Sequence, residues 1–181
     1  MRRAGLICAL WLALWLAQAG AEPLTLCYHY GCDRSSTIDL PADALIWMAG
    51  RLRQADNAGA ERAALQDVVL AFYQIAAQTL PLAEDRGGNQ EDARLLGRMD
   101  CIDHTHNLHQ LLALLQSLHL LRYHQPAADA FRAPWLFNEH HAATVQDIDT
   151  GDVWVVDGWF RDFGAPPVVV PLALWKEGFS P

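Results

Sequence analysis

Positive charge is scarce in this sequence: 13 lysines and arginines stand against 21 aspartates and glutamates, giving a formal net charge of −8 at pH 7. No stripe of basic residues with interleaved aromatics occurs, and such a stripe is what attracts phosphates and stacks bases. We therefore expect no nucleic-acid partner. Internal repeats and low-complexity tracts are absent too.

Long apolar runs are confined to the N-terminus. The first three residues carry two arginines, residues 4–17 are apolar, and residues 17–21 offer two A-x-A cleavage frames. This layout is typical of a secretory signal peptide, and the run is shorter than the ~20 residues that span a bilayer. We predict that residues 1–21 are removed, and that residues 22–181 form a single periplasmic or secreted domain with no membrane span.

Cysteine is also sparse, with four residues in a chain of 181. Cys8 belongs to the predicted signal peptide. Cys27 and Cys32 lie five residues apart with Gly31 available for a tight turn, and in an oxidising compartment we expect them to form a disulfide. Cys101 is left without a partner, so it is either a small buried apolar residue or a nucleophile.

Helical patterns come first along the chain and strand patterns last. Apolar residues recur at three and four positions from Pro41 to Thr79 with a break near Gly59, which predicts two helices after a short extended segment over residues 22–40. A leucine stripe predicts a third helix that begins at Asp100 or Cys101 and ends near Leu121. The predicted loops are residues 82–99 and 124–138, and the predicted strands are residues 140–148, 152–160 and 168–170. Helices followed by a small antiparallel sheet define an α+β fold.

Cys101 is predicted to lie in the first turn of the third helix. Unpaired N–H groups and the helix dipole favour a thiolate there, and so lower the pKa of the thiol. Asp100 can cap this helix and Asp103 can lie in its first turn, but both charges act against a thiolate. A nucleophilic Cys101 therefore needs a basic partner.

The predicted hairpin supplies that partner. If Asp149-Thr150-Gly151 forms a three-residue loop, residue 143 faces residue 157, and the odd-numbered residues of both strands share one face of the sheet. His141 and Asp157 are then diagonal neighbours, and a carboxylate beside an imidazole orients it as a base. A register shifted by one residue would exchange His141 for His140, which is the alternative base.

Four short motifs follow one another along the chain: Asp-Cys-Ile-Asp at 100–103, a leucine-rich helix ending at 118–122, His-Ala-Ala at 141–143, and Trp-Val-Val-Asp at 154–157. Together they resemble the transglutaminase-like cysteine peptidase superfamily, and its bacterial exported cysteine peptidases in particular. The similarity covers about residues 95–160. It implies a papain-like core in which Cys101 is the nucleophile, His141 the base and Asp157 the orienting acid.

Two positions depart from the family pattern. Ala143 stands where the family has an aromatic residue, and Ile102 stands where some exported members have an acidic residue that serves calcium. Calcium dependence is therefore not carried over, and we expect no metal and no cofactor. A metal-binding alternative exists at His106 and His109; His104 cannot easily join His106 on one ion, because residues two apart on a helix diverge.

The resemblance implies an exported cysteine hydrolase, either a peptidase or amidase or an acyl transferase, that acts on a peptide or protein through a thioacyl intermediate. An oxyanion hole is needed, for which the backbone N–H of Cys101 and one of Asn89, Gln90 and Trp135 are candidates. The alternative from another class is a catalytically silent module of the same fold that binds a peptide or a component of the cell envelope.

Overall fold

The computed structural model describes residues 20–89, 95–133 and 139–181. Most of the predicted signal peptide, residues 1–19, lies outside the described residues. In chain order the elements are β1 (Glu22–Tyr28), β2 (Arg34–Leu40), α1 (Ala42–Arg53), α2 (Ala58–Ala76), a 3-10 turn (Leu82–Glu84), α3 (Cys101–Ser117), β3 (His124–Arg132), β4 (His140–Asp147), β5 (Val153–Asp157), β6 (Val168–Pro171) and α4 (Leu172–Lys176). The predicted α+β class is confirmed. Across these three described ranges, no helix combines the length and the apolar content needed to cross a bilayer.

The N-terminal extended segment is an antiparallel hairpin of β1 and β2, closed by the predicted disulfide between Cys27 and Cys32. The four residues 29–32 that turn the chain all have φ between 60° and 72°. Three of them carry side chains, and the left-handed region is unfavourable for such residues. Contacts outside the turn therefore have to hold it in place, and these contacts come from the first turn of α3 and the residues just before it.

The two predicted helices of residues 41–79 are α1 and α2. Helix α1 ends at Arg53. Helix α2 begins after Asn57, whose side chain accepts a hydrogen bond from the N–H of Ala60 at 2.9 Å. Asparagine is among the most favourable residues at this cap position. The break therefore falls just before Gly59, as the periodicity predicts, although α2 ends three residues before Thr79.

Strands β3 to β6 form one antiparallel sheet in chain order. Residues 124–138 were predicted to be a loop, and this prediction was wrong for the part that forms β3. Pro126 favoured a loop in the prediction, because proline is uncommon inside a sheet. It is tolerated here because β3 is an edge strand. Its pairing with β4 is also interrupted by an irregularity between Ala127 and Ala130, which breaks the alternation of apolar and polar residues.

The predicted register of the β4–β5 hairpin was wrong by one residue, because Ala143 pairs with Val156 instead of Asp157. The loop contains four residues, 148–151, and the side chain of Asp147 stabilises it. Its carboxylate accepts the N–H groups of Asp149 and Thr150, both at 3.0 Å. Aspartate commonly closes turns in this way. The shift moves His140, instead of His141, onto the face that carries Asp157.

The sheet is covered on both faces. On one face the leucines of α3 pack against small apolar residues of β4 and β5 in the main core, which includes Leu108, Leu111, Leu112, Leu115, Ala143, Val145 and Val156. On the other face a smaller cluster joins Ala130, Ala142 and Val155 to Trp175 of α4. The end of β4 that begins at His140 therefore has α3 on one side of the sheet and the C-terminal segment on the other.

Candidate active site

Cys101 is the first residue of α3, and the predicted cap residues hold the start of this helix. The carboxylate of Asp100 accepts the N–H groups of Ile102 and Asp103, and the carboxylate of Asp103 accepts the N–H of Asp100. This reciprocal arrangement is a capping box, which satisfies backbone donors that the helix itself leaves unpaired. The predicted start of the helix at Asp100 or Cys101 is confirmed.

The same two carboxylates also bind the disulfide-closed turn. Asp103 accepts the N–H groups of Tyr30 and Cys32 at 2.8 and 2.7 Å, and Asp100 accepts that of Gly31 at 2.8 Å. Hydrogen bonds to ionised acceptors are stronger than those between neutral groups. They hold the left-handed turn against the N-terminus of α3 and so fix the position from which Cys101 projects.

The Cys101 thiol is partly buried, and burial raises its pKa above the ordinary value. The negative charges of Asp100 and Asp157 raise this pKa further, whereas the backbone N–H groups of His141 and of Cys101 itself lower it. The net direction is upward. The prediction of a thiol with a lowered pKa was therefore wrong, because desolvation outweighs the N–H groups at the helix start.

The carboxylate of Asp157 pairs with His140. His140 Nε2 and Asp157 Oδ2 lie 2.7 Å apart, and both side chains are buried, with 5% and 1% of their surfaces exposed. His141, the predicted partner of Asp157, lies on the opposite face of β4 because of the one-residue change in register. Of the two candidate bases, the structure brings only His140 to Asp157.

Two tryptophans complete the hydrogen bonds of Asp157. The indole Nε1 of Trp175 donates to Oδ2 at 2.9 Å, and the backbone N–H of Trp159 donates to Oδ1 at 3.1 Å. A buried carboxylate needs such donors, since an unpaired charge in the interior is costly. Trp175 is a site residue that the sequence reading missed; the signal available was that a buried indole N–H requires an acceptor.

Aromatic rings surround the imidazole of His140. The ring centroids of Trp159, Phe160 and Trp175 lie 4.6, 5.2 and 5.3 Å from its own. With Nε2 bound to Asp157, the second ring nitrogen, Nδ1, is buried and has no hydrogen-bond partner among the described residues. In the tautomer that donates its Nε2–H to the carboxylate, Nδ1 carries the free lone pair.

His141 faces an open cleft beside the start of α3. Its ring lies 4.9 Å from that of Phe131 on the neighbouring strand. The cleft has a volume of about 290 Å³ and is lined by Ile102, Thr105, His106, His109, Asp129 and His141. Ile102 directly follows Cys101, so the cleft adjoins the candidate nucleophile.

One of the three side-chain candidates for the oxyanion hole can be placed. Gln90 and Trp135 lie outside the described residues. Both polar atoms of the Asn89 amide are buried without a hydrogen-bond partner in the described part of the chain. The backbone oxygen of Asn89 accepts from the indole of Trp159 at 3.3 Å, and Trp159 packs on His140. Trp159 therefore links the backbone of Asn89 to the His140–Asp157 pair.

The described residues bring three potential metal ligands within 4.8 Å of one another at Cys27, Cys32 and Asp103. The two sulfurs there are joined in the disulfide and the carboxylate is occupied by backbone N–H groups, so this group does not fit a metal ion. His106 and His109 both line the cleft, but they do not belong to that group. His104 is buried elsewhere, with its two ring nitrogens on Asp85 and Tyr73.

No known protein family, no curated protein and no solved structure matches this chain. The resemblance to transglutaminase-like cysteine peptidases therefore depends on the four short motifs alone.

Proposed function

We propose that the protein is an exported cysteine hydrolase or acyl transferase with a transglutaminase-like core, in which Cys101 is the nucleophile, His140 the base and Asp157 the orienting acid. The observation that carries this proposal is the buried His140–Asp157 pair, whose imidazole keeps Nδ1 without a hydrogen-bond partner among the described residues. The backbone N–H of His141, the next residue along β4, lowers the pKa of the Cys101 thiol, and the charge of Asp157 raises it. The thiol thus lies close enough to the strand ends that carry the pair to be affected by the charge of Asp157.

In the proposed reaction His140 Nδ1 takes the proton of Cys101 Sγ as the sulfur attacks the substrate. The sulfur attacks the carbonyl carbon of a peptide or amide, a C–S bond forms, and the imidazolium returns the proton to the leaving amine. Water then attacks the thioacyl carbonyl and releases the acid, whereas in an acyl transferase a second amine takes its place. Asp157 keeps the imidazole oriented and stabilises its positive charge.

The raised pKa of the Cys101 thiol bears on how this proton moves. A thiol whose pKa lies above the ordinary value is protonated at neutral pH, so little thiolate exists before substrate binds. We expect proton transfer to His140 to accompany attack on the carbonyl. The neutral form of His140, with its lone pair on Nδ1, is the form that can accept this proton.

The oxyanion formed during attack needs donors that the protein does not already use. The side-chain amide of Asn89 fits this role, because its nitrogen is buried without a protein partner in the described ranges. The N–H of Cys101, in the first turn of α3, is the second donor in this proposal. Donors of this kind, aimed at developing charge, are a large contribution to catalysis of acyl transfer.

Two features support an exported protein. The disulfide between Cys27 and Cys32 is typical of oxidising compartments such as the periplasm and the extracellular space. The N-terminal residues have the charge and apolar pattern of a secretory signal peptide. The proposed substrate is accordingly a peptide or protein outside the cytoplasm.

The proposal is tested with 4-nitrophenyl acetate, an activated ester that acylates nucleophilic thiols. We expect an acetyl adduct on Cys101, located by peptide mapping, and no adduct at this position in Cys101→Ala. The matched pair His140→Gln and His141→Gln decides the base: the first is expected to slow acylation about a hundredfold, whereas the second leaves it nearly unchanged. Loss of acylation in His141→Gln alone would overturn the assignment of His140.

A catalytically silent binding module is the second candidate, and the raised pKa of Cys101 favours it. In such a module the thiol is an ordinary buried group. The folded wild-type protein would then resist acylation, while iodoacetamide would modify Cys101 after unfolding. This result would remove the enzymatic proposal and leave the cleft beside Ile102 as the binding surface to examine.

A further inference from the structure

A second buried pair of histidine and carboxylate lies behind the candidate site. His104, one turn after Cys101 on α3, meets Asp85 through an Nε2–Oδ2 distance of 3.0 Å. Its other nitrogen, Nδ1, lies 3.1 Å from the hydroxyl of Tyr73 on α2. All three side chains are buried, and none of them has a part in the reaction proposed above.

The carboxylate of Asp85 can only accept, so His104 donates its Nε2–H to it. In the neutral ring Nδ1 is then an acceptor. The Tyr73 hydroxyl, whose pKa burial raises well above its ordinary value, keeps its proton and donates it to this nitrogen. The ring is held at both nitrogens in one orientation.

Asp85 connects this ring to the segment before Cys101 and to the segment after Asp157. Its Oδ1 accepts the N–H of Met99 at 2.8 Å, two residues before the nucleophile. Its backbone oxygen accepts the N–H of Phe163 at 3.2 Å. A single buried residue thus binds both parts of the chain that lead to the candidate site.

The segments around Asp85 and Asp157 also run against each other directly. Gly88 donates its N–H to the oxygen of Trp159 at 2.8 Å, and Trp159 donates its indole N–H to the oxygen of Asn89. A Cβ on Gly87 would lie 2.4 Å from the oxygen of Phe160. These contacts are too close for any residue larger than glycine at position 87 without a shift of the backbone.

Gly158, which follows Asp157, packs directly on the His104 ring. A Cβ at this position would lie 2.7 Å from His104 Nδ1, closer than real Cβ contacts allow. The orientation of the His104 ring therefore restricts the position of the backbone at the end of β5. Because Gly158 directly follows Asp157, the position of Asp157 is restricted as well.

We infer that the Asp85–His104 pair positions the three segments that carry Asn89, Cys101 and Asp157 relative to one another. The catalytic consequence rests on the proposed function, but the positional one does not. His104 acts through Gly158 and Asp85, and it does not touch the reacting atoms. We therefore assign it as a positioning residue, with Asp85 as its anchor.

The chain provides a matched control in the buried pair of His124 and Glu61, whose Nδ1–Oε2 distance is 2.8 Å. Both of these side chains are fully buried. His124 opens β3 and pairs with Asp147, at the opposite end of the β3–β4 ladder from His140. Removal of this second imidazole should cost stability in a similar way without moving the candidate site.

The experiment compares His104→Gln with His124→Gln by three measurements: the thermal midpoint, the rate of Cys101 acetylation by 4-nitrophenyl acetate, and the ¹H–¹⁵N signal of His140 Nε2–H. The signal is assigned by its absence in His140→Gln. We expect His104→Gln to shift or broaden this signal and to slow acetylation about tenfold or more. In His124→Gln the thermal midpoint should fall while the signal and the rate stay near their wild-type values.

Gly158→Ala is the second variant, used because it removes no hydrogen-bonding group and so serves if His104→Gln fails to fold. The added methyl group should displace the His104 ring or Asp157 and change the His140 signal in the same direction. The inference is overturned if the variants keep the wild-type signal, or if His124→Gln changes the signal equally. Absence of acetylation in the wild type overturns the proposed function instead, and the His140 signal still tests the positioning role.

Discussion

His140 Nε2 lies 2.7 Å from Asp157 Oδ2, although the two residues lie on adjacent strands and 17 positions apart in the chain. Asp157 also accepts the indole N–H of Trp175 and the backbone N–H of Trp159. Its charge is thus compensated by three donors and shielded from water by the rings around His140. A carboxylate in this setting holds the imidazole in one tautomer, with Nδ1 left to accept a proton.

Asp157→Asn tests that relationship. An asparagine keeps the size of the side chain but can present an N–H to His140 Nε2, which favours the wrong tautomer. We expect acetylation of Cys101 to fall about a hundredfold or more, measured by stopped-flow release of 4-nitrophenolate. Asp152→Asn, on the same hairpin but exposed, is the control and should behave as the wild type. Equal rates in Asp157→Asn and wild type would mean that the pair is structural only.

The pH dependence of Cys101 alkylation tests the electrostatics at the helix start. Burial and the charges of Asp100 and Asp157 raise the pKa of the thiol, so the rate of reaction with iodoacetamide should keep rising with pH beyond the range of an ordinary cysteine. Asp100→Asn removes one of these charges and keeps a good cap residue. The midpoint of the profile should therefore move to lower pH.

Asp43→Asn is the matched control for this profile, since Asp43 lies in the first turn of α1, away from the thiol. Its midpoint should equal that of the wild type. A midpoint in Asp100→Asn that is unchanged, or that moves to higher pH, would contradict the assigned role of the Asp100 charge.

Much of this arrangement follows from local sequence, and the parts that do not have identifiable causes. The start of α3 was predictable because Asp100 and Asp103 make a capping box from residues three apart, which is a local interaction. The cysteine pairing was predictable for a similar reason. The helices α1 and α2 followed from their apolar period and from the break near Gly59.

The register of the hairpin was harder to predict, because a single side chain determines it. Asp147 accepts two loop N–H groups and selects a four-residue loop over the three-residue loop that Asp149-Thr150-Gly151 favours. The one-residue change exchanges His141 for His140 beside Asp157. The contacts of Asp85 with His104 and Met99 were equally hidden, since they join residues from separate segments through tertiary packing.

The disulfide-closed turn is expected to stabilise the fold. Residues 29–32 are held in the left-handed region. The N–H groups of Tyr30, Gly31 and Cys32 bind Asp100 and Asp103 at the start of α3, and that of His29 binds the backbone oxygen of Arg98. We expect the double variant Cys27→Ser with Cys32→Ser to lose about 2 kcal/mol of unfolding free energy, measured by urea denaturation. Cys101→Ala, which removes a thiol outside the disulfide, should keep the fold. No loss of stability in the double variant would show that the hydrogen bonds alone hold the turn.

Asn89 and Asn107 both have buried side-chain amides, but their removal should have different effects: loss of the Asn107 amide should lower stability, and loss of the Asn89 amide should slow the reaction. The amide of Asn107 accepts the N–H of Cys27 at 2.7 Å and donates to its oxygen at 2.9 Å, so Asn107→Ala breaks both bonds between α3 and β1 and lowers stability. The amide of Asn89 has no partner among the described residues, so Asn89→Ala breaks no side-chain hydrogen bond to that part of the chain.

If Asn89 donates to the oxyanion, removing its amide should raise the free energy of the transition state without lowering the stability of the folded protein. We expect Asn89→Ala to slow acetylation of Cys101 about a hundredfold with little change in the thermal midpoint, whereas Asn107→Ala lowers the midpoint. Asn89→Gln, which keeps an amide but places it one methylene further out, should recover only part of the rate. A wild-type rate in Asn89→Ala would remove Asn89 from the proposed oxyanion hole, because a donor that stabilises the transition state cannot be lost without slowing the reaction.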